Sequence, residues 1–501
     1  MLPPERRLPG VREVIEQQAY FVLHAPRQVG KTTSLLALAK ALTAEGRFAA
    51  VMVSMEVGAA FPKDVGAAEN AILDAWAETA ALVLPTELRP SLPRVASPGA
   101  RIRSTLTAWA AQCPRPLVVF LDEIDALQGD VLMSVLRQLR DGHTHRPSGY
   151  PWSLALVGLR DVRDYKIASG GSEHQHTSSP FNIKVESLTM RDFTEPEVAE
   201  LYGQHTEETG QRFEPEAVAR AFELTQGQPW LVNAMARQLV QVLVTDRRCA
   251  ITKADVERAR DILIERQDTH LDSLAERLRD ARVRAVIEPM LTGDLLPQLP
   301  PDDLRFVLDL GLIKRGTDGS LEIANPIYRE VLPRVLTQGV VDTIPSLKPT
   351  WLRPDGSLDT EQLLEAFLSF WREHGEFLLA STPYNEAAPH LVLMAFLHRV
   401  VNGGGRIERE YAAGAKRLDL RVEFRGVVLG IEVKTWKDSD KVKDPVPAGV
   451  QQLEGYLARM GAESGWLVLF DQRKGQPELA ERMSVQKVPG IGGRPVTLVR
   501  L

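Results

Sequence analysis

Apolar positions along this chain fall into two rhythms, and each predicts its own kind of element. Short apolar runs occur at Tyr20 to Leu23, Phe48 to Met55, Pro116 to Leu121 and Ser153 to Leu159. Runs of that length with so little polar interruption predict strands buried on both faces, as in a parallel sheet covered by helices. Between them helical spacing takes over. Leu35, Leu38, Ala39 and Leu42 share one face after the first strand, and a further helix is predicted over about 67–81. Strands alternating with helices place a ligand site at the carboxyl ends of the strands.

From residue 190 onward the strand rhythm gives way to helices. Thr194 can cap a helix from Glu195 to Glu208, and two more are predicted over Pro215 to Thr225 and Pro229 to Thr245. Gly227 ends one and Pro229 starts the next, as at a tight helical corner. Short helices at Val283 to Leu291 and Asp302 to Leu310 precede a hairpin, Leu312 to Arg315 and Ser320 to Ile323, around Thr317-Asp318-Gly319. That order describes a winged helix, which can bind DNA; its hairpin carries only Lys314 and Arg315, so a protein-packing role fits equally.

After a linker broken by Pro345, Pro349 and Pro354, the predicted order is helix, three strands, helix, strand. The helix covers about Ala388 to Val401 and Arg406 to Tyr411 begins the sheet. Arg417 to Phe424 alternates strictly, with Leu418, Leu420, Val422 and Phe424 on one side and Asp419 on the other. Leu429 to Lys434 alternates too, so Glu432 and Lys434 share a face.

Candidate chemistry sits at two of these places. The loop Ala25-Pro26-Arg27-Gln28-Val29-Gly30-Lys31-Thr32 joins the first strand to its helix and fits the phosphate-binding pattern G-x-x-x-x-G-K-Ser/Thr, with Ala25 in place of the first Gly. Backbone N–H groups at a helix N-terminus suit phosphate oxygens, Lys31 reaches the outer phosphates, Thr32 suits Mg²⁺, and Thr33 completes the site. The third strand runs into Asp122 and Glu123, expected to fix the magnesium shell and to polarise the attacking water. Arg160, after the fourth strand, is the candidate sensor of the γ-phosphate, although a surface salt-bridge cluster explains it as well. Pro229 would bring the helical corner against bound ATP.

In the C-terminal part, Asp419, Glu432 and Lys434 meet on one polar face if their strands are neighbours. Two carboxylates suit Mg²⁺, Lys434 can orient a nucleophile, and Glu386 can add a ligand. Gln452 and Tyr456, one helical turn apart, can face the same substrate. A solvated face of an amphipathic hairpin would use the same residue types. His143, His145, His174 and His176 lie in Gly/Ser/Thr-rich loops and read as mobile loop histidines, not as a metal site.

Bulk properties narrow the rest. At 501 residues the chain exceeds one core and implies about three or four domains. Hydrophobic residues at 44%, charged residues at 25% and a net charge of −6 fit a soluble protein and exclude a globally basic one. Two cysteines, Cys113 and Cys249, argue against a disulfide framework or thiolate metal site. With no run of about 18 apolar residues, no membrane partner is expected and the chain is read as cytoplasmic.

On these residues the first half resembles the archaeal-type branch of the AAA+/STAND ATPases, through Ala25 to Thr32, Leu117 to Glu123 and the Gly227-x-Pro229 corner. The end resembles a PD-(D/E)xK nuclease domain, through Asp419, Glu432-x-Lys434 and a Gln452-x-x-x-Tyr456 pair similar to that of RecB-like members. The resemblance implies an α/β multidomain chain: a P-loop parallel-sheet ATPase core (1–185), a helical lid (186–278), a winged-helix-like insert (279–340), a linker (341–357) and an αβββαβ restriction-endonuclease-like domain (358–501). It further implies ATP and Mg²⁺ as cofactors and DNA as a partner. The expected function is an ATP-controlled, Mg²⁺-dependent DNA nuclease; the rival expectation is an ATP switch whose nuclease-like domain grips nucleic acid or a partner without cleaving. No arginine finger is legible, so turnover in a monomer and in a homo-oligomer both stay open.

Overall fold

In the third strand every residue from Leu117 to Asp122 is buried, and alternate side chains enter different cores. Val119 and Leu121 join one hydrophobic cluster, whereas Val118 and Phe120 join another on the opposite face. This two-sided burial is why the strand reads as a continuous apolar run rather than an alternating one. The computed structural model describes residues 2–90, 96–159, 186–266, 274, 276–292, 299–316, 318–343, 349–381, 388–401, 405–413, 416–436, 444–462, 464–473, 475–477, 479–489 and 495–501. These form two compact units, Met1–Glu265 with Pro301–Asn325, and Arg266–Pro300 with Pro326–Leu501.

The first unit opens with short helices α1 (Pro4–Arg7) and α2 (Val11–Glu16), then strand β1 (Tyr20–His24) and helix α3 (Lys31–Ala44). There follow β2 (Ala49–Ser54), α4 (Val65–Val83), α5 (Arg101–Gln112), β3 (Leu117–Asp122), α6 (Gly129–Gly142), β4 (Ser153–Gly158) and β5 (Glu186–Thr189). The sheet is parallel with order β2-β3-β4-β1-β5. Leu35, Leu38, Ala39 and Leu42 of α3 pack on one face; Ile72 and Trp76 of α4, with Leu106 and Trp109 of α5, pack on the other. His143, expected in a mobile loop, packs edge-on against Tyr20 with ring centroids 5.0 Å apart; His174 and His176 lie outside the described residues.

The helical region follows as α7 (Glu195–Thr209), α8 (Pro215–Thr225), α9 (Pro229–Gln238) and α10 (Lys253–Arg266). Thr194 and Glu197 form a reciprocal capping box at the start of α7. The helix expected to reach Thr245 stops at Gln238 and continues as a single π turn, Leu239–Leu243. Val240, Val242, Val244 and Thr245 crowd that stretch with β-branched residues, which weaken helix continuation.

Helix α11 (Ala281–Thr292) precedes α12 (Pro301–Asp309) and the antiparallel hairpin β6 (Ile313–Arg315) and β7 (Leu321–Ile323). The segment expected to be one winged-helix-like insert is divided between the units. α12 and the hairpin belong to the first, α11 and α13 (Pro326–Thr343) to the second. Gly311, at φ +71°, sits so close to the phosphate loop that a Cβ there would lie 2.7 Å from Pro26 Cγ.

In the second unit, α14 (Thr360–Ser381) and α15 (Ala388–Val401) lead into β8 (Gly405–Ala413), β9 (Lys416–Phe424) and β10 (Val427–Trp436). Then come α16 (Val446–Met460), β11 (Ser464–Asp471), the short α17 (Leu479–Arg482), β12 (Ser484–Pro489) and β13 (Pro495–Arg500). The mixed sheet has order β12-β13-β11-β10-β9-β8, with β10 parallel to β11 and antiparallel to β9. Leu420, Val422, Ile431 and Val433 face a core built with α14 and α15, while Leu453, Tyr456 and Leu457 of α16 pack with Leu467 and Leu498 on the other side. Trp351, in the stretch expected as a linker, is buried in the first of these cores. No helix among the described residues is long and apolar enough to cross a membrane.

Candidate nucleotide site

The loop between β1 and α3 carries its special backbone at Gln28 (φ +60°) and Gly30 (φ +92°). Gly30 has left-handed geometry while a Cβ there would meet no protein atom within 4 Å, so conformation, not protein crowding, calls for glycine. Ala25 is not among the positive-φ residues, and its amide continues the pairing of β1 with β4 by donating to the Gly158 carbonyl (3.3 Å). A glycine is therefore dispensable at the first motif position here. The Lys31 ammonium donates to the carbonyls of Ala25 (2.7 Å) and Pro26 (2.8 Å).

A cavity of about 530 Å³ opens above this loop, lined by Arg27, Gln28, Gly30, Lys31, Thr32, Thr33, Glu56, Asp122, Glu123, Asp125, Ala126, Gly158 and Leu159. β3 stands beside β2 and β4, so Asp122 arrives at its rim from the carboxyl end of the sheet. The Thr32 hydroxyl donates to Asp122 Oδ2 (2.9 Å), and the Glu123 amide donates to Asp122 Oδ1 (3.0 Å). Burial raises the Asp122 carboxyl above its ordinary pKa, opposed by those two hydrogen bonds and by the charge of Lys31. Glu123 takes a left-handed φ of +54°, a conformation costing about 1–3 kcal/mol for a non-glycine residue. Its carboxyl is also raised, first by burial and then by Glu56.

Of the residues expected here, Arg27, Gln28, Gly30, Lys31, Thr32, Thr33, Asp122 and Glu123 line one cavity. Ala25, Pro26 and Val29 supply the loop's backbone without lining it, and Pro229 is not among its lining residues. Arg160 lies outside the described residues. Glu56, just past β2, and Asp125 were not anticipated. The only sequence signal for Glu56 is that it follows an apolar run, and its approach to Glu123 depends on β2 lying beside β3.

The corner between α8 and α9 is built by conformation. Gln226 (φ +49°) and Gly227 (φ +75°) reverse the chain, and the Gln228 side chain caps α9 by accepting from the Leu231 amide (2.6 Å). A Cβ on Gly227 would lie 1.8 Å from the Phe193 carbonyl oxygen, and the Phe193 amide donates to the Gly227 carbonyl (2.8 Å).

In the second unit a separate polar string lies on the α16 side of the sheet. The Lys434 ammonium donates to Glu432 Oε1 (2.7 Å) and Gln452 Oε1 (3.5 Å), and Gln452 Nε2 donates to the Tyr456 hydroxyl (3.2 Å). Glu432 is wholly buried. The backbone of Asp419 belongs to β9, next to Leu420, which pairs with Ile431, but its side chain and all of Glu386 lie outside the described residues. No group of three or more His, Cys, Asp or Glu that could hold a metal occurs among the described residues.

Residues 21–155 match the family model described as ATPase family associated with various cellular activities (AAA). No curated protein matches the chain. Among solved structures the chain is similar to the Walker-type ATPase PABY2304 of Pyrococcus abyssi, at 15% identity and a TM-score of 0.48, covering 66% of this chain and 96% of that one. It is also similar to the Orc1 protein of Aeropyrum pernix in complex with DNA (15%, TM-score 0.36, covering 68% and 94%). A third is the RuvB Holliday junction branch migration motor of Thermotoga maritima (15%, TM-score 0.34, covering 66% and 92%). Residues 21–155, with their parallel sheet, phosphate loop and paired Thr32 and Asp122, are an AAA P-loop ATPase domain.

Proposed function

We propose that this chain binds and hydrolyses ATP and that its C-terminal domain is a Mg²⁺-dependent DNA nuclease controlled by the ATPase. The observation that carries the first part is the Thr32–Asp122 hydrogen bond, between side chains 90 residues apart that meet at the mouth of the phosphate loop. Two hard oxygens side by side at a helix N-terminus fit a magnesium ion with phosphate, and Thr32 and Asp122 would hold it. The ion, when bound, neutralises charge on the transferring phosphoryl group. Lys31 leaves the loop carbonyls for the outer phosphates, Gly30 and its neighbours direct N–H groups inward, and Glu123 orients and deprotonates the attacking water. Arg160, one residue past the cavity wall at Leu159, senses the γ-phosphate, and Pro229 brings the lid corner to bear on it.

Support for the nuclease part is the string Glu432–Lys434–Gln452–Tyr456 on one face of a sheet with helix–three strands–helix–strand order. In this reading Asp419 and Glu432, with Glu386, hold Mg²⁺, while Lys434 orients the nucleophile and Gln452 and Tyr456 meet the DNA. One observation favours the second reading, a nuclease-like domain that grips without cleaving: Glu432 is wholly buried and already salt-bridged to Lys434. A cleavage assay on single- and double-stranded DNA, with Mg²⁺ and with and without ATP, separates them. The nuclease reading expects Glu432→Ala to abolish cleavage while ATP hydrolysis persists, and Lys31→Ala to abolish hydrolysis. Cleavage undiminished by Glu432→Ala refutes it, and salt-sensitive DNA binding without any cleavage establishes the second reading.

A further inference from the structure

Arg7, in the short helix α1, is 3% exposed and belongs to none of the sites above. Its Nη2 donates to two carbonyls at once, Val29 in the phosphate loop (3.0 Å) and Arg191 at the entry to the helical region (2.8 Å). The guanidinium also lies over the Phe193 ring, 4.1 Å from its centroid. Phe193 in turn donates its amide to Gly227, where a side chain has no room. One residue further on, Gln228 caps α9. A continuous line of contacts therefore runs from the phosphate loop through Arg7 to the first turn of α9.

The carbonyl that Arg7 grips has a particular value. Val29 C=O and Gly30 N–H belong to the same peptide group, which is planar and moves as one piece. Gly30 lines the cavity, and its N–H is among those a phosphate would draw inward. Turning that N–H toward a phosphate turns the opposite edge of the plane against Arg7. Among the described residues Arg7 Nε and Nη1 find no hydrogen-bond partner although both are buried, so a grip on these two carbonyls is obtained with polar groups left unsatisfied.

We propose that Arg7 is a positioning residue that transmits phosphate binding at the loop to the α8–α9 corner, through the Val29–Gly30 peptide on one side and Arg191–Phe193 on the other. The inference rests on reading the cavity as an ATP site. A residue that merely clasps the N-terminal segment would change stability equally with and without nucleotide. A transmitter changes how far the corner responds.

The test uses the full chain. Affinity for Mg-ATP is measured by titration calorimetry, and amide hydrogen exchange over residues 226–238 is measured with and without saturating Mg-ATP. Wild type is expected to bind and to change exchange in this segment at least threefold. Arg7→Ala is expected to bind within about fivefold of wild type and to lose most of that change. If Arg7→Ala does not fold, Arg7→Lys decides: an ammonium keeps the charge but cannot stack on Phe193 while bridging both carbonyls, so the change is expected to fall by at least half. A full-sized change in either variant, or wild type that binds with no change in the segment, overturns the proposal and leaves the ATP site standing. Wild type that does not bind Mg-ATP overturns both.

Discussion

Two glycines of the first unit share left-handed backbone but differ in surroundings, and this difference gives a calibrated prediction. Gly30 (φ +92°) has open space where a Cβ would sit, whereas at Gly227 (φ +75°) a Cβ would lie 1.8 Å from the Phe193 carbonyl oxygen. Alanine at residue 30, without nucleotide, is charged only with the conformation, about 1–2 kcal/mol. At residue 227 the same conformational cost applies, and the clash cannot be relieved by a side-chain rotation because the struck atom is backbone. The Phe193 N–H bond to the Gly227 carbonyl must open, about 1 kcal/mol, and displaced packing adds about 1–3 kcal/mol. Gly227→Ala therefore costs about 3–6 kcal/mol in total, at least about 2 kcal/mol more than Gly30→Ala. Because the chain has two units, one global unfolding energy is ill defined. Urea-dependent hydrogen exchange of peptides over residues 186–238 reads the helical region, with peptides over 416–436 as an internal reference. Equal losses of protection for the two substitutions would refute the claim that backbone contact with Phe193 is what requires Gly227.

Two further predictions come from titrating groups. Arg191 donates to both oxygens of Glu197 (2.6 and 2.9 Å) and the Thr194 amide adds a third bond (2.8 Å), holding the carboxyl at about 2 against an ordinary 4.5. A depressed acid stabilises the fold fully above about pH 4.5 and loses that contribution as pH falls toward 2; Glu197→Gln should cost about 2 kcal/mol at pH 7, allowing for screening of half-exposed Arg191, and flatten the acid limb of local stability read by urea-dependent hydrogen exchange over residues 186–238. Glu56 is one cause of the raised Glu123 carboxyl, so Glu56→Ala should move the acid limb of the ATP hydrolysis rate to lower pH; an unmoved pH–rate profile would contradict the proximity of these acids.

Local pattern accounts for most of what the sequence made legible. The strand–loop–helix from Tyr20 to Leu42, the acidic end of Leu117–Asp122 and the Pro215–Thr225 helix depend on neighbouring residues, and each stands close to its expected bounds. Strand β5, with only four residues and no buried one, gave no periodic signal, and the β12–β13 hairpin extends the second sheet beyond the expected order. Long-range placement was not legible: Glu56 reaches the cavity because β2 pairs with β3, and Arg7 reaches Val29 and Arg191 because α1 folds back on the loop. The Glu432, Lys434, Gln452 and Tyr456 string joins a strand to a helix whose residue spacings were readable but whose docking was not.

Every role proposed for the first unit requires that the cavity above Gly30, Lys31 and Thr32 receive Mg-ATP. Titration calorimetry of the full chain measures this directly, with Lys31→Ala as the comparison. The expected result is one nucleotide per chain for wild type and at least tenfold weaker binding for Lys31→Ala. Equal affinity of the two proteins, or no binding by wild type, would contradict it.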